Sequence, residues 1–227
     1  MELQLHLKLL SDVTFGRGDG IAGLVDAEVE HDPHGFPYLH SRTLKGLLVE
    51  EAANVLYALA RFQPPLSSDT LRRFDEAAMT LFGTPGSTSE GQGTLYPGHA
   101  ELPEPLRKAV AVELQRDRLD PAQVLESLTA IRRQTAMEAD GVPAQGSLRA
   151  MRVVLRETPF VARLDVHGDP DEVQEALLAA SVLGLRRAGT GRNRGRGRLS
   201  ATLSEGGHDV TASWFQRFQT LLRGSVA

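Results

Sequence analysis

The chain has 227 residues, a formal net charge of −4, and is 41% hydrophobic and 24% charged. That is an ordinary globular profile, long enough to bury a core without staples. There is no cysteine, which excludes disulfides, thiolate nucleophiles and Cys-ligated zinc. No stretch approaches the ~20 apolar residues of a membrane span, and no basic-then-apolar leader opens the sequence, so a cytoplasmic protein without a membrane partner is the expectation.

Residues 2–10 alternate, with Leu3, Leu5, Leu7 and Leu9 against Glu2, Gln4, His6 and Lys8. This period predicts a half-buried strand. Gly16, Gly18 and Gly20 end it in a glycine-rich turn. Residues 21–40, with Pro33, Gly35 and Pro37, read as a loop with short extended pieces. Ser41 serves as N-cap for a helix through about Arg61, with Leu44, Leu47, Leu48, Val55 and Leu59 on its apolar face. After a break at 63–68, Asp69 opens a second helix that Gly83 stops. Residues 83–99 read as a surface loop, and 120–130 as a short helix with Pro121 in its first turn. The stretch 63–130 is expected to form an inserted helical, lid-like subdomain.

Residues 131–155 predict two extended arms around the polar tip Glu138-Ala-Asp-Gly141, a hairpin. A strand follows at 160–167. Asp169-Pro-Asp-Glu172 then carries the cap, the first-turn proline and the acids of a helix start. Val173, Leu177, Ala180 and Leu183 form that helix's inward face. Leu199, Ala201 and Leu203 alternate in a last strand, and Trp214, Phe215 and Phe218 form the apolar face of a C-terminal helix. The order predicts one α+β domain over 1–227, a ferredoxin-like core with helices on one face of an antiparallel sheet.

The net charge conceals a concentration. Of 25 basic residues only Lys8, Lys45 and Lys108 are lysines, and six arginines fall between Gly184 and Arg198 with no acid among them. The remainder carries a net −10. A local basic site on an acidic body still binds a polyanion, because local potential outweighs net charge. Glycines let a backbone approach a ligand and turn N–H groups toward phosphate, and arginines add bidentate donors. The loop therefore reads as a nucleic-acid backbone cradle; its place between a capped helix and a strand argues against a disordered tract. Replacing Arg192, Arg194 and Arg196 together should weaken RNA binding. A second anion-binding signal is Ser41-Arg-Thr-Leu-Lys-Gly46 at a helix start. It lacks the Walker pattern. His31, His34 and His40 in one loop read as surface histidines rather than a metal site.

Four segments, in order, resemble the RAMP (repeat-associated mysterious protein) superfamily of CRISPR effector subunits. They are Thr14-Phe-Gly-Arg-Gly-Asp-Gly20 after the first strand, and Val25-Asp-Ala-Glu-Val-Glu-His-Asp-Pro33 leading to Gly35-Phe-Pro-Tyr-Leu-His-Ser-Arg-Thr-Leu-Lys-Gly46. Ile131-Arg-Arg-Gln-Thr-Ala136 with Gly146-Ser-Leu148, and the glycine-arginine loop, complete the set. Length and the Asp26 region look most like the type III backbone subunit that repeats along the guide.

The resemblance implies an RRM-like palm with a hairpin thumb at 131–155. It implies CRISPR RNA, target RNA, further copies and other effector subunits as partners. It also implies target-RNA cleavage by Asp26 with Mg²⁺ or another divalent cation, Asp26 serving as general base or metal ligand. Glu28 stands where the family often has proline. The RNA-binding residues implied are Gly16, Gly18, Arg42, Thr43 and Lys45, with Gly189, Gly191, Arg192, Asn193, Arg194, Gly195 and Arg196. The wedge that kinks the duplex falls on Met137 and Val142 of the thumb. Asp12, Asp19, Glu28 and Asp32 each remain open as a second carboxylate. Alternatives are a non-catalytic RAMP subunit that binds or caps the guide, or a stand-alone, metal-independent nuclease that processes CRISPR precursor RNA.

Overall fold

The computed structural model describes residues 3–84, 91–136, 138, 141–142, 144 and 146–225. The alternating leucines of β1 (Leu3–Leu9) point into the core, each at most 2% exposed. β1 pairs antiparallel with β5 (Pro159–Val166) on one side and β6 (Leu199–Glu205) on the other. β2 (Leu95–Pro97) adds to β5, and β7 (His208–Asp209) to β6, giving the order β2-β5-β1-β6-β7. With α1 (Ser41–Leu59) between β1 and β2, and α5 (Glu172–Gly184) between β5 and β6, this is the ferredoxin-like α+β arrangement.

Helices cover one face. α5 buries Val173 and every residue from Ala176 to Val182, because it lies between the sheet and three other helices: α1, α2 (Ser68–Phe82) and α6 (Thr211–Arg223). Phe74, Leu177 and Phe218 meet there, the two phenylalanines edge to face at 5.3 Å. On the opposite face the strands present Gln4, His6, Lys8, Val161, Arg163, Ser200 and Thr202. The outward positions of β1, β5 and β6 hold no Phe, Tyr or Trp, so these three strands lack the aromatic stacking platform of RNA-binding RRM domains.

Residues 63–130 do not stand apart as a lid. α2 packs on α1 and α5, β2 is the fourth palm strand, and α4 (Pro121–Leu128) buries Val124 and Leu125 in the main core. β2 escaped notice because three residues ending in proline carry no period. α3 (Glu104–Gln115) was missed because none of its residues is fully buried. Two helix starts also shift. His40, not Ser41, caps α1, its Nδ1 accepting from Arg42 N–H, while Ser41 N–H goes to His99. Asp171, not Asp169, caps α5, in a capping box with Gln174.

β3 (Thr129–Gln134) and β4 (Arg149–Val154) form the separate two-stranded hairpin, in register from Thr129↔Val154 to Gln134↔Arg149. Its root docks on the segment after β1, where Val13 bridges Val154 and Ala27 bridges Met151. Gly141, at φ +82°, turns the tip and donates to Glu138 O at 2.9 Å.

Candidate nucleic-acid interface

The glycine-arginine loop is a fixed structure. Ala188 N–H bonds Gly197 O, Thr190 N–H bonds Thr14 O at 3.0 Å, and Gly197 N–H bonds Asp12 O at 3.0 Å. Gly189 (φ +79°) would drive a Cβ to 2.5 Å from Val13 Cγ2, and Gly197 (φ +68°) to 1.9 Å from Ala188 O. Only glycine fits at either point. Between them, left-handed Gly191 and Gly195 bracket a 3₁₀ turn, Arg192–Arg194, that sets Arg192, exposed Asn193 and Arg194 outward in succession.

The two flanks of this loop differ. Toward α1 it walls a groove of about 480 Å³, which brings together Gly16, Thr43, Gly189 and Arg192 as the sequence suggested. The same groove holds two acids. Glu50 grips Arg192 in a bidentate pair at 2.9 and 3.1 Å, and Glu30 accepts the Tyr38 hydroxyl at 2.9 Å. Burial, then the Glu30 contact, push the Tyr38 hydroxyl pKa up. Two carboxylates against one guanidinium leave the groove net negative, which disfavours phosphate.

Toward the thumb the loop meets mostly cations and neutral groups, with one acid, Asp12, in the pocket beside Arg196. Arg194 shares a pocket with Arg149, Gln134 and Ser147. Arg196 rests its guanidinium on the Met151 sulfur and lines the next pocket with Arg132 and Arg156. Arg132 is paired with Asp12 at 2.8 Å. Among the described residues, Arg133, Arg149, Arg156, Arg194 and Arg196 have no carboxylate partner.

Asp26 lies on this thumb flank. Its backbone N–H donates to Ala150 O at 2.7 Å, and its Oδ2 accepts from Ala150 N–H at 2.7 Å. Oδ1 has no partner among the described residues. The acid opens into a pocket of about 510 Å³ lined by Ile21, Leu24, Arg133 and Leu148. Loop, post-β1 segment, β4 and the Asp26 segment are thus successive neighbours on one side of the molecule.

Several expected residues stand elsewhere. Lys45 lies on the far side of α1 from the groove, its Nζ 5.2 Å from the Tyr96 ring centroid, and burial lowers its pKa. It is not on the track with Asp26, because residues 43, 46, 47 and 50 form the groove-facing stripe of α1 and position 45 is opposite. Arg42 is exposed and outside both pockets. Gly18 sits in an open turn at φ +98° beside the Arg17–Asp19 pair, whose hydrogen bond lowers the Asp19 pKa. Val142 is 54% exposed near the thumb tip, and Met137 lies outside the described residues.

Of the four acids left open, Asp12 is held by Arg132, Asp19 by Arg17, and Asp32 accepts the N–H groups of His34 and Phe36. Glu28 is fully buried. No group of three His, Asp or Glu able to hold a metal occurs among the described residues. The lone free oxygen of Asp26 fits a mostly hydrated Mg²⁺, which takes one or two carboxylates and completes its shell from phosphates.

Sequence reasoning missed Arg133, Arg149 and Arg156. The signal was present, since the hairpin arms carry Arg132, Arg133, Arg149, Arg152 and Arg156 with no acid among the arm residues 129–134 and 149–156.

Comparison with known proteins agrees with this architecture. The RAMP superfamily model matches residues 6–200. No curated protein matches the sequence. A chain of the cryo-EM structure of the type III-B Cmr-beta bound to cognate target RNA superposes with a TM-score of 0.61 at 12% identity, covering 89% of this chain and 97% of that one. A chain of the apo-state Cmr-beta structure gives 0.58 at 12% identity, covering 91% and 98%. No helix among the described residues is long and apolar enough to cross a membrane.

Proposed function

The chain belongs to the RAMP superfamily, and from that premise we propose that it is a CRISPR RNA-binding backbone subunit of a type III effector complex that cleaves guide-paired target RNA through Asp26. Its partners on this reading are CRISPR RNA, target RNA, further copies of itself and other effector subunits. The similarity in fold to subunits of a type III-B assembly supports the reading.

One observation carries it: an acid with a free oxygen sits against the β4 arm of the hairpin, flanked by arginines that have no carboxylate partners. RNA brings its own nucleophile, the 2′-OH. As it bonds to phosphorus the P–O5′ bond breaks and the 5′-oxygen leaves, taking a proton from water. The protein aligns the attack, accepts the 2′-OH proton and stabilises the charge on the phosphate and the leaving oxygen. Asp26 Oδ1 is available to take the proton. The Ala150 N–H fixes the orientation of that carboxylate. Arg133, in the same pocket, is the donor for the phosphate oxygens, and Arg149 and Arg194 hold the strand beside it. The exposed Ile21, Leu24 and Leu148 give an unstacked base an apolar surface. A divalent cation such as Mg²⁺ would be held by Asp26 together with RNA phosphates and would supply charge neutralisation.

The test is cleavage of a labelled target by the guide-loaded complex. Cuts at regular spacing, lost in Asp26→Ala and in EDTA with RNA binding retained, are the expected result. Cutting retained in EDTA would favour the precursor-processing alternative. A non-catalytic guide binder is the second reading, favoured by the commitment of Oδ2 to Ala150 and by a pocket whose described lining holds no second acid and no imidazole. It expects the same RNA affinity and an uncut target from the wild type.

A further inference from the structure

Glu28 is the one fully buried acid among the described residues. Its Oε1 accepts from Val29 N–H at 2.8 Å and from Arg152 Nε at 2.8 Å, while Oε2 is buried with no partner. Arg152, on β4, extends the contact: Nη1 reaches Thr129 Oγ1 on β3 at 3.3 Å, its N–H donates to Ala27 O at 2.9 Å, and its carbonyl accepts the Thr14 hydroxyl at 2.9 Å. A buried ion pair with an orphaned oxygen is a poor way to gain stability, since apolar residues of similar volume do as well or better. What it provides is direction. It ties the 26–29 segment to both arms of the hairpin at once.

Asp26 and Ala150 form one rung of this contact, and Glu28 and Arg152 the next, on either side of the Ala27–Met151 bridge. We infer that the Glu28–Arg152 pair is the positioning element that fixes Asp26 against the thumb, so that the acid reaches its working position only when the hairpin is docked. This rests on the role of Asp26 proposed above. Glu28 has no exposed surface and acts through Asp26 rather than on RNA.

The decisive variants, in the guide-loaded complex, are Glu28→Gln and the paired replacement Glu28→Leu with Arg152→Met, which removes both charges while keeping volume. The paired variant should bind target within about twofold of wild type yet cut about 10- to 100-fold more slowly in single turnover, the cost of a misplacement near 1 Å. Amide hydrogen exchange at residues 26–29 should quicken. Glu28→Gln keeps the Oε1 acceptor and should recover most of the rate with an unmoved pH profile. Wild-type cutting by the paired variant, or a shifted acid limb in Glu28→Gln, overturns the inference. Should the wild type itself not cut, the cleavage reading falls alone. The exchange comparison still decides the pair's role, and unchanged exchange at 26–29 overturns it.

Discussion

The two flanks of the glycine-arginine loop are built from the same residue types and differ in what faces them. On the α1 flank, Arg192 meets Glu50 and the groove also contains Glu30. On the thumb flank, Arg194 and Arg196 meet arginines and the Met151 sulfur, and the acid there, Asp12, is taken up by Arg132. A guanidinium contributes to polyanion binding according to its surroundings, and the second flank, with more arginines than acids, leaves a positive potential.

The sharpest way to break this comparison is to strip the thumb flank. Arg133, Arg149 and Arg194 changed together to alanine should lower RNA affinity by two orders of magnitude or more at moderate salt. The slope of log K against log salt should fall by about 2, at roughly 0.7 per lost phosphate contact on a single strand. Filter binding across a salt series reads both. An unchanged slope would show that the strand runs elsewhere.

The next effect is on stability. Glu28→Ala leaves Arg152 buried and unpaired, at a cost of about 3–5 kcal/mol, visible as a large fall in the denaturation midpoint. The same substitution at Glu50 should leave that midpoint almost unmoved, because its pair with Arg192 is exposed to solvent.

Smaller effects separate the flanks from the other side. Glu50→Ala removes an acid from the α1 groove and should raise RNA affinity by about two- to fivefold, consistent with ~0.5–1 kcal/mol for an exposed pair. Arg192→Ala alone should change affinity less than Arg194→Ala does, measured in the same salt. Lys45→Ala, turned toward Tyr96, should leave RNA affinity unchanged.

Legibility in the sequence followed the range of the interactions. β1 was readable because alternation over Leu3–Leu9 is local, and α6 because Trp214 and Phe218 recur at helical spacing. The cap of α1 moved by one residue because His99, distant in sequence, takes the Ser41 N–H. The glycine-arginine loop stood out in the sequence as a basic, glycine-rich segment, yet its division into two flanks depends on Glu50, 142 positions away from Arg192. Glu28 resisted for a related reason. Between Val25 and Val29 it sits at a polar position of an alternating run, and only the arrival of Arg152 from the hairpin makes burial tolerable. The site is assembled from separated segments, and pair energies across such separations leave no periodic trace.

The bends at Gly189 and Gly197 have one more consequence. With the main chain pinned against Val13, Thr14 and Ala188, binding of a strand there, as proposed, would surrender little disorder. The side chains between those bends can therefore be exchanged one at a time without the scaffold drifting, so grip strength and path along the surface are separately adjustable properties.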